Sequence, residues 1–156
     1  MPERSDSRNL AEPNSPSESR KNRLHITIEQ PTCRWVALVK TAKNIANSAG
    51  NLCLHLVGNL NTYIGATIGK TNYVRNREQE FSLKGIPKTE LLRQIDDTII
   101  VVNNSLDNLP QDDLTKEYPV LVFSEKTTTE YLLVHLTTHL AYHLGQINYH
   151  RRLLDN

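Results

Sequence analysis

The run His135-Leu-Thr-Thr-His139-Leu-Ala-Tyr-His143 places three of the chain's six histidines at four-residue intervals. On a helix, residues four apart share a face, so a pair of imidazoles spaced this way can reach a single metal ion. Neutral imidazole is a good ligand for Zn²⁺, Ni²⁺ and similar divalent ions. A third nitrogen has to come from another element. The candidate is His55, in the apolar run Asn51-Leu-Cys-Leu-His55-Leu-Val-Gly-Asn-Leu60. The expected metal ligands are therefore His55, His139 and His143.

A helical projection at roughly 100° per residue supports that choice. Leu132, Leu136, His139, His143, Ile147 and Leu154 fall in one sector, while Thr137, Thr138, Asn148, Arg151 and Arg152 fall outside it. His139 and His143 thus look into an apolar interior, where unsatisfied ring nitrogens are costly. His135 lies at the edge of the sector. His150 also projects inward, two turns further on. Asn59, Tyr63 and Gln146 are the expected partners for the outer ring nitrogens. The alternative reading is a group of buried histidines hydrogen-bonded to neighbouring side chains, and spacing alone leaves both open. The helix lacks the Glu that follows the first histidine in metalloproteases, and the chain lacks the Glu-x-x-His pairs of di-iron bundles. One metal with three protein ligands leaves a position for water or substrate, as catalytic zinc sites do.

Four helices are expected to position these residues. The first spans roughly Arg23 to Ala46, with Pro31 breaking or kinking it. Asn47-Ser-Ala-Gly50 reads as a turn and cap, and the second helix runs from Asn51 to Gly65. Residues 65–87, with Gly65, Gly69, Gly85 and Pro87, read as a long ordered connection without a regular element. A third helix from Lys88 to Leu106 carries Leu91, Leu92, Ile95, Ile99 and Val102 on one side. Tyr118-Pro-Val-Leu-Val-Phe123 suggests a short extended segment. Thr127-Thr-Thr-Glu130 supplies caps for the fourth helix, which ends near Leu154 with Arg151 and Arg152 against its negative dipole end. The expected fold is all-α, a four-helix bundle with a long crossover between the second and third helices. Residues 1–22, rich in Ser, Pro, Asn, Arg and Glu, read as a disordered tail, and 23–156 as the single bundle domain.

Composition narrows the function. With 18 basic and 17 acidic residues the formal charge is +1, which gives no electrostatic footprint for nucleic acid or an anionic membrane. No apolar run approaches the roughly 20 residues of a membrane span, and the first residues lack the apolar stretch of a secretory signal. Cys33 and Cys53 are too few for a disulfide framework. A cytoplasmic protein acting on a small-molecule substrate, with no nucleic acid and no membrane, is expected. Arg75, Arg77, Glu78 and Glu80 read as a solvated structural cluster rather than a substrate entrance. Cys53 and Trp35 read as packing residues, His25 has no assigned role, and Gly58 and Gly145 mark close helix approach.

Three blocks in order, Asn47-Ser-Ala-Gly-Asn-Leu-Cys-Leu-His-Leu-Val-Gly-Asn-Leu60, Tyr73-Val-Arg-Asn-Arg-Glu-Gln-Glu-Phe81 and His139-Leu-Ala-Tyr-His-Leu-Gly-Gln-Ile147, resemble the DinB-like superfamily, nearest to an uncharacterised bacterial subfamily. The resemblance runs from about Asn47 to Leu154. It implies a four-helix bundle binding one divalent metal, often as a homodimer, with the ligands on His55, His139 and His143. Characterised relatives include metal-dependent thiol S-transferases and a thiol-dependent isomerase, so the resemblance also implies a low-molecular-weight thiol as cofactor. The chain departs from such relatives between Trp35 and Ala46, where it is shortened, which would leave part of a bundle face uncovered. The leading functional expectation is a metal-dependent transferase. A non-catalytic metal-binding or stress-associated bundle is the alternative, and a bundle with merely hydrogen-bonded histidines is the third.

Overall fold

The computed structural model describes residues 40–41 and 45–154, and every regular element among them is helical. The expectations for the tail, for most of the first helix and for His25, Cys33 and Trp35 lie outside the described residues. What the sequence suggests as the second helix is α1, Ala49–Leu60, continued by a wider π-helical turn at Asn61–Ala66. Ser48 caps it, its hydroxyl accepting from the Asn51 amide at 3.2 Å. Asn61 supports the widened turn by donating from Nδ2 to the Val57 carbonyl (2.9 Å) and to Thr98 Oγ1 (2.8 Å).

The connection that follows is not wholly irregular. It contains a short helix, α2, Arg77–Ser82, whose Asn76 cap accepts from the Gln79 amide at 3.1 Å. The reading of this stretch as loop throughout is thereby corrected: an Asn cap and two acidic residues in the first turn outweigh the flanking glycines. Gly85, with φ +67°, turns the chain towards α3, Lys88–Asp107. After a 3₁₀ turn at Gln111–Asp113, the expected extended segment at Tyr118–Phe123 reduces to one antiparallel bridge between Glu117 and Thr128. The last helix, α4, is Thr129–Leu154, and Thr128 Oγ1 accepts from the Tyr131 amide at its start.

Two apolar clusters hold these elements together. Leu52, Cys53 and Leu56 of α1 pack with Leu91 and Ile95 of α3 and Ile147 of α4. Ile64, Tyr118, Leu132 and Leu136 form the second. A fully buried aliphatic side chain of this kind contributes about 1.5–3 kcal/mol. On α4, His139 and His143 fall between Leu136 of one cluster and Ile147 of the other, so packing at both ends fixes the stretch that carries them. No helix among the described residues is long and apolar enough to cross a membrane.

Candidate metal centre

α1 and α4 bring His55, His139 and His143 together, with one nitrogen from each inside a group whose members all lie within 4.8 Å of one another. His139 Nε2 is 3.4 Å from His55 Nε2 and 3.1 Å from His143 Nε2. Two nitrogens of a tetrahedral zinc site, with bonds of about 2.0–2.1 Å, stand about 3.4 Å apart. His135 and His150, the other histidines of α4, are not members of the group.

The outer ring nitrogens decide what the inner ones can do. His55 Nδ1 lies 3.0 Å from Glu80 Oε2, and a carboxylate can only accept, so Nδ1 carries the proton and Nε2 faces the group bare. His143 Nδ1 meets Gln146 Oε1 at 2.7 Å, which leaves its Nε2 bare as well. His139 Nδ1 is buried with no hydrogen-bond partner among the described residues. At most one proton, on His139, is then available to three converging lone pairs. A cation satisfies all of them, which a hydrogen-bonded cluster cannot do. The residues present fit a metal ion.

Glu80 is set by structure drawn from the first two resemblance blocks. Its carboxylate accepts from Arg75 Nε at 2.6 Å and Nη2 at 2.8 Å, a two-pronged clamp. Arg75 Nη2 also lies 3.2 Å from His55 Nδ1, so the two donors converge on the carboxylate rather than on each other. Asn51, itself anchored to Ser48, donates from Nδ2 to the backbone carbonyls of Glu80 (2.9 Å) and Leu83 (3.0 Å) and so pins the end of α2 onto α1. Gly58 leaves room for the carboxylate, because a Cβ there would overlap Glu80 Oε1. The ring of Phe81 packs against His55 with centroids 5.3 Å apart. The result is a carboxylate–histidine pair of the kind that fixes tautomer and orientation at metal sites.

Burial and neighbouring groups favour the neutral form of His139 and His143. Burial, then the neighbouring His143, His55, His135 and Arg75, lower the pKa of His139 from 6.5 to about 4. Burial also lowers that of His143, against the raising effect of its bond to Gln146. Neutral imidazole is the metal-binding form. The Glu80 hydrogen bond raises the pKa of Arg75.

A pocket of about 200 Å³ opens on His55 and His139, lined further by Tyr63, Arg75, Arg77, Phe123 and His135. The charged crossover residues therefore divide. Arg75 and Glu80 are 14 % and 6 % exposed at their side chains and belong to the site, which corrects their reading as a solvated cluster. Arg77 and Glu78 are exposed, although Arg77 also lines the pocket. Of the expected outer partners, Gln146 takes that role. Tyr63 instead offers its carbonyl to the Tyr118 hydroxyl, and Asn59 Oδ1 is buried without a partner among the described residues.

Comparison with curated proteins and with solved structures gives no match. Comparison with protein families gives one, over residues 13–156, a stretch that takes in α1, α2, α3 and α4 together with every side chain of the histidine site. The chain belongs to that family, which is described as "Protein of unknown function (DUF1572)".

Proposed function

We propose that this chain is a DinB-like four-helix bundle in which His55, His139 and His143 hold one divalent ion, zinc, nickel or similar, for a transferase reaction between a low-molecular-weight thiol and a small-molecule substrate. The observation that carries the metal reading is the convergence of three imidazole nitrogens, two of them left bare by acceptors at their outer ring positions. A transferase, rather than a closed structural site, is favoured because the group has three members and not four among the described residues, and because a pocket reaches two of them.

A divalent ion in such a site lowers the pKa of a bound water or thiol. The chain's own residues do the rest. Glu80 holds the proton at His55 Nδ1, and Arg75 balances the charge of that carboxylate. Gln146 holds the proton at His143 Nδ1. Tyr63 and Phe123 supply apolar walls, and Arg77 puts a positive charge at the pocket.

Metal analysis of protein purified without a histidine tag tests the first half. One equivalent in the wild type and loss in His139→Ala support it; no metal in either, after incubation with zinc and with nickel, ends it. Conjugation of an electrophilic reporter to a panel of thiols tests the second half. No rate above the uncatalysed background with the metal-loaded protein would leave a non-catalytic metal-binding bundle.

A further inference from the structure

The groove between α1 and α4 continues past the histidine group. Asn59 stands four residues after His55 on α1, and His135 four residues before His139 on α4, so each lies one helical turn, about 5.4 Å, beyond a candidate ligand. Both line the pocket of about 200 Å³ that opens on His55 and His139.

Three features of this extension point to a molecule that fills it. The first is Asn59, which is 8 % exposed and whose Oδ1 has no hydrogen-bond partner among the described residues. A buried oxygen left unpaired costs about 1–3 kcal/mol, so it calls for a donor that those residues do not supply. Rotation about the broad terminal torsion of the side chain turns Oδ1 to the pocket. The second feature is charge. Arg75 and Arg77 line the pocket, and no acidic side chain does so among the described residues. Arg75 is committed to Glu80, whereas Arg77 is exposed and forms no ion pair among the described residues. The third is an apolar wall. Phe123 stands edge-on to Tyr131 and to His135, at centroid distances of 5.8 Å and 4.7 Å, which fixes its plane beside Val122 and Leu136.

Drug-sized molecules occupy about 300–1,000 Å³, so this pocket takes something smaller. A ring or branched chain suits the Phe123 wall. An N–H suits Asn59 Oδ1, and a carboxylate suits the guanidinium fork of Arg77. An N-acylated amino acid carries all three on one short chain.

We propose that this extension of the pocket recognises an N-acyl amino acid unit in the small-molecule substrate, with the carboxylate on Arg77, the amide N–H on Asn59 Oδ1 and an apolar acyl group against Phe123. The proposal rests on the metal-site reading only in calling that molecule a substrate, since none of the three groups that hold it is a candidate metal ligand.

Calorimetric titration of the full chain tests this, with the zinc content of every sample measured. Hippurate (N-benzoylglycine) carries all three groups. Its ketone analogue has CH₂ in place of the N–H, and its primary amide lacks the charge. Hippurate is expected to bind, the ketone roughly 2–10-fold more weakly and the amide about tenfold or more. Arg77→Ala is expected to bring hippurate down to the affinity of the amide, and Asn59→Ala to bind hippurate and the ketone alike. Zinc-loaded protein that takes up no hippurate at millimolar concentration overturns the proposal and leaves the metal reading intact. Protein that binds hippurate but no zinc overturns the metal reading alone. Hippurate affinity indifferent to Arg77→Ala places the carboxylate elsewhere and overturns the assignment. If Asn59→Ala does not fold, the matched pair decides in the wild type: equal affinity for hippurate and the ketone overturns the role of Asn59.

Discussion

The Glu80 carboxylate stands 3.0 Å from His55 Nδ1 although the two residues come from different helices and are 25 positions apart. That contact makes Glu80 the residue through which the crossover acts on the site. Glu80→Gln keeps an acceptor near Nδ1 but removes the charge that raises ligand basicity, and it leaves the largely buried Arg75 without its counter-ion. Zinc affinity, measured by competition with a chromogenic chelator, is expected to fall roughly 10–100-fold. Unfolding in urea is expected at lower concentration, since breaking one side of a buried pair costs about 3–5 kcal/mol. Unchanged affinity in a folded Glu80→Gln protein would remove Glu80 from the site.

Two mid-helix glycines should respond differently to the same substitution. A Cβ at Gly58 would displace the Glu80 carboxylate, so Gly58→Ala is expected to weaken zinc binding and to cost about 1–3 kcal/mol of stability through crowding. Gly145→Ala meets no atom within 4 Å among the described residues and should leave zinc affinity unchanged. Equal loss of affinity in both variants would contradict the route from Gly58 to His55 through Glu80.

The histidine site was legible in sequence because helical spacing fixes it. Four-residue intervals put His139 and His143 on one face whatever surrounds the helix, and the apolar run around His55 could only be an interior helix. Gln146 was legible as a partner for the same reason, three residues beyond His143 on the same helix. Glu80 was not. Its direction depends on where α2 lies against α1, which two long-range bonds from Asn51 and the absent side chain at Gly58 decide. The local signal for α2, Asn76 followed by acidic residues, is present in the sequence but stands between glycines that by themselves read as loop. An alternation of Arg and Glu in a connection reads as surface unless the tertiary fold buries it.

The low pKa of His139 predicts how the metal-free protein responds to acid. In the unfolded chain this imidazole takes its proton near pH 6.5, and in the folded chain near pH 4, because burial, the neighbouring histidines and Arg75 oppose its charging. Between those values the unfolded chain holds more protons, so stability falls as pH drops from about 6.5 to about 4 and is untouched by this group above that window. Urea midpoints of metal-free protein at pH 7.5 and pH 4.5 are expected to differ more in the wild type than in His139→Asn. Equal differences would mean that His139 charges in the folded state as easily as in water.

Asn51 offers a test of the crossover that touches no atom of the three histidines. Its amide carries both bonds that fasten the end of α2, to the Glu80 and Leu83 carbonyls, and its side chain is buried against Ser48. Asn51→Ala leaves the buried Glu80 carbonyl without that donor, at a cost of about 1–3 kcal/mol. The larger consequence is positional. Once α2 is released from α1, the Glu80 carboxylate no longer has a fixed approach to His55, even though Glu80, Arg75 and the three histidines are all present. Zinc affinity should therefore fall by roughly the factor seen for Glu80→Gln. Combining the two substitutions should add little, because both act through one contact. Multiplicative losses in the double variant would show that Asn51 and Glu80 support the site independently.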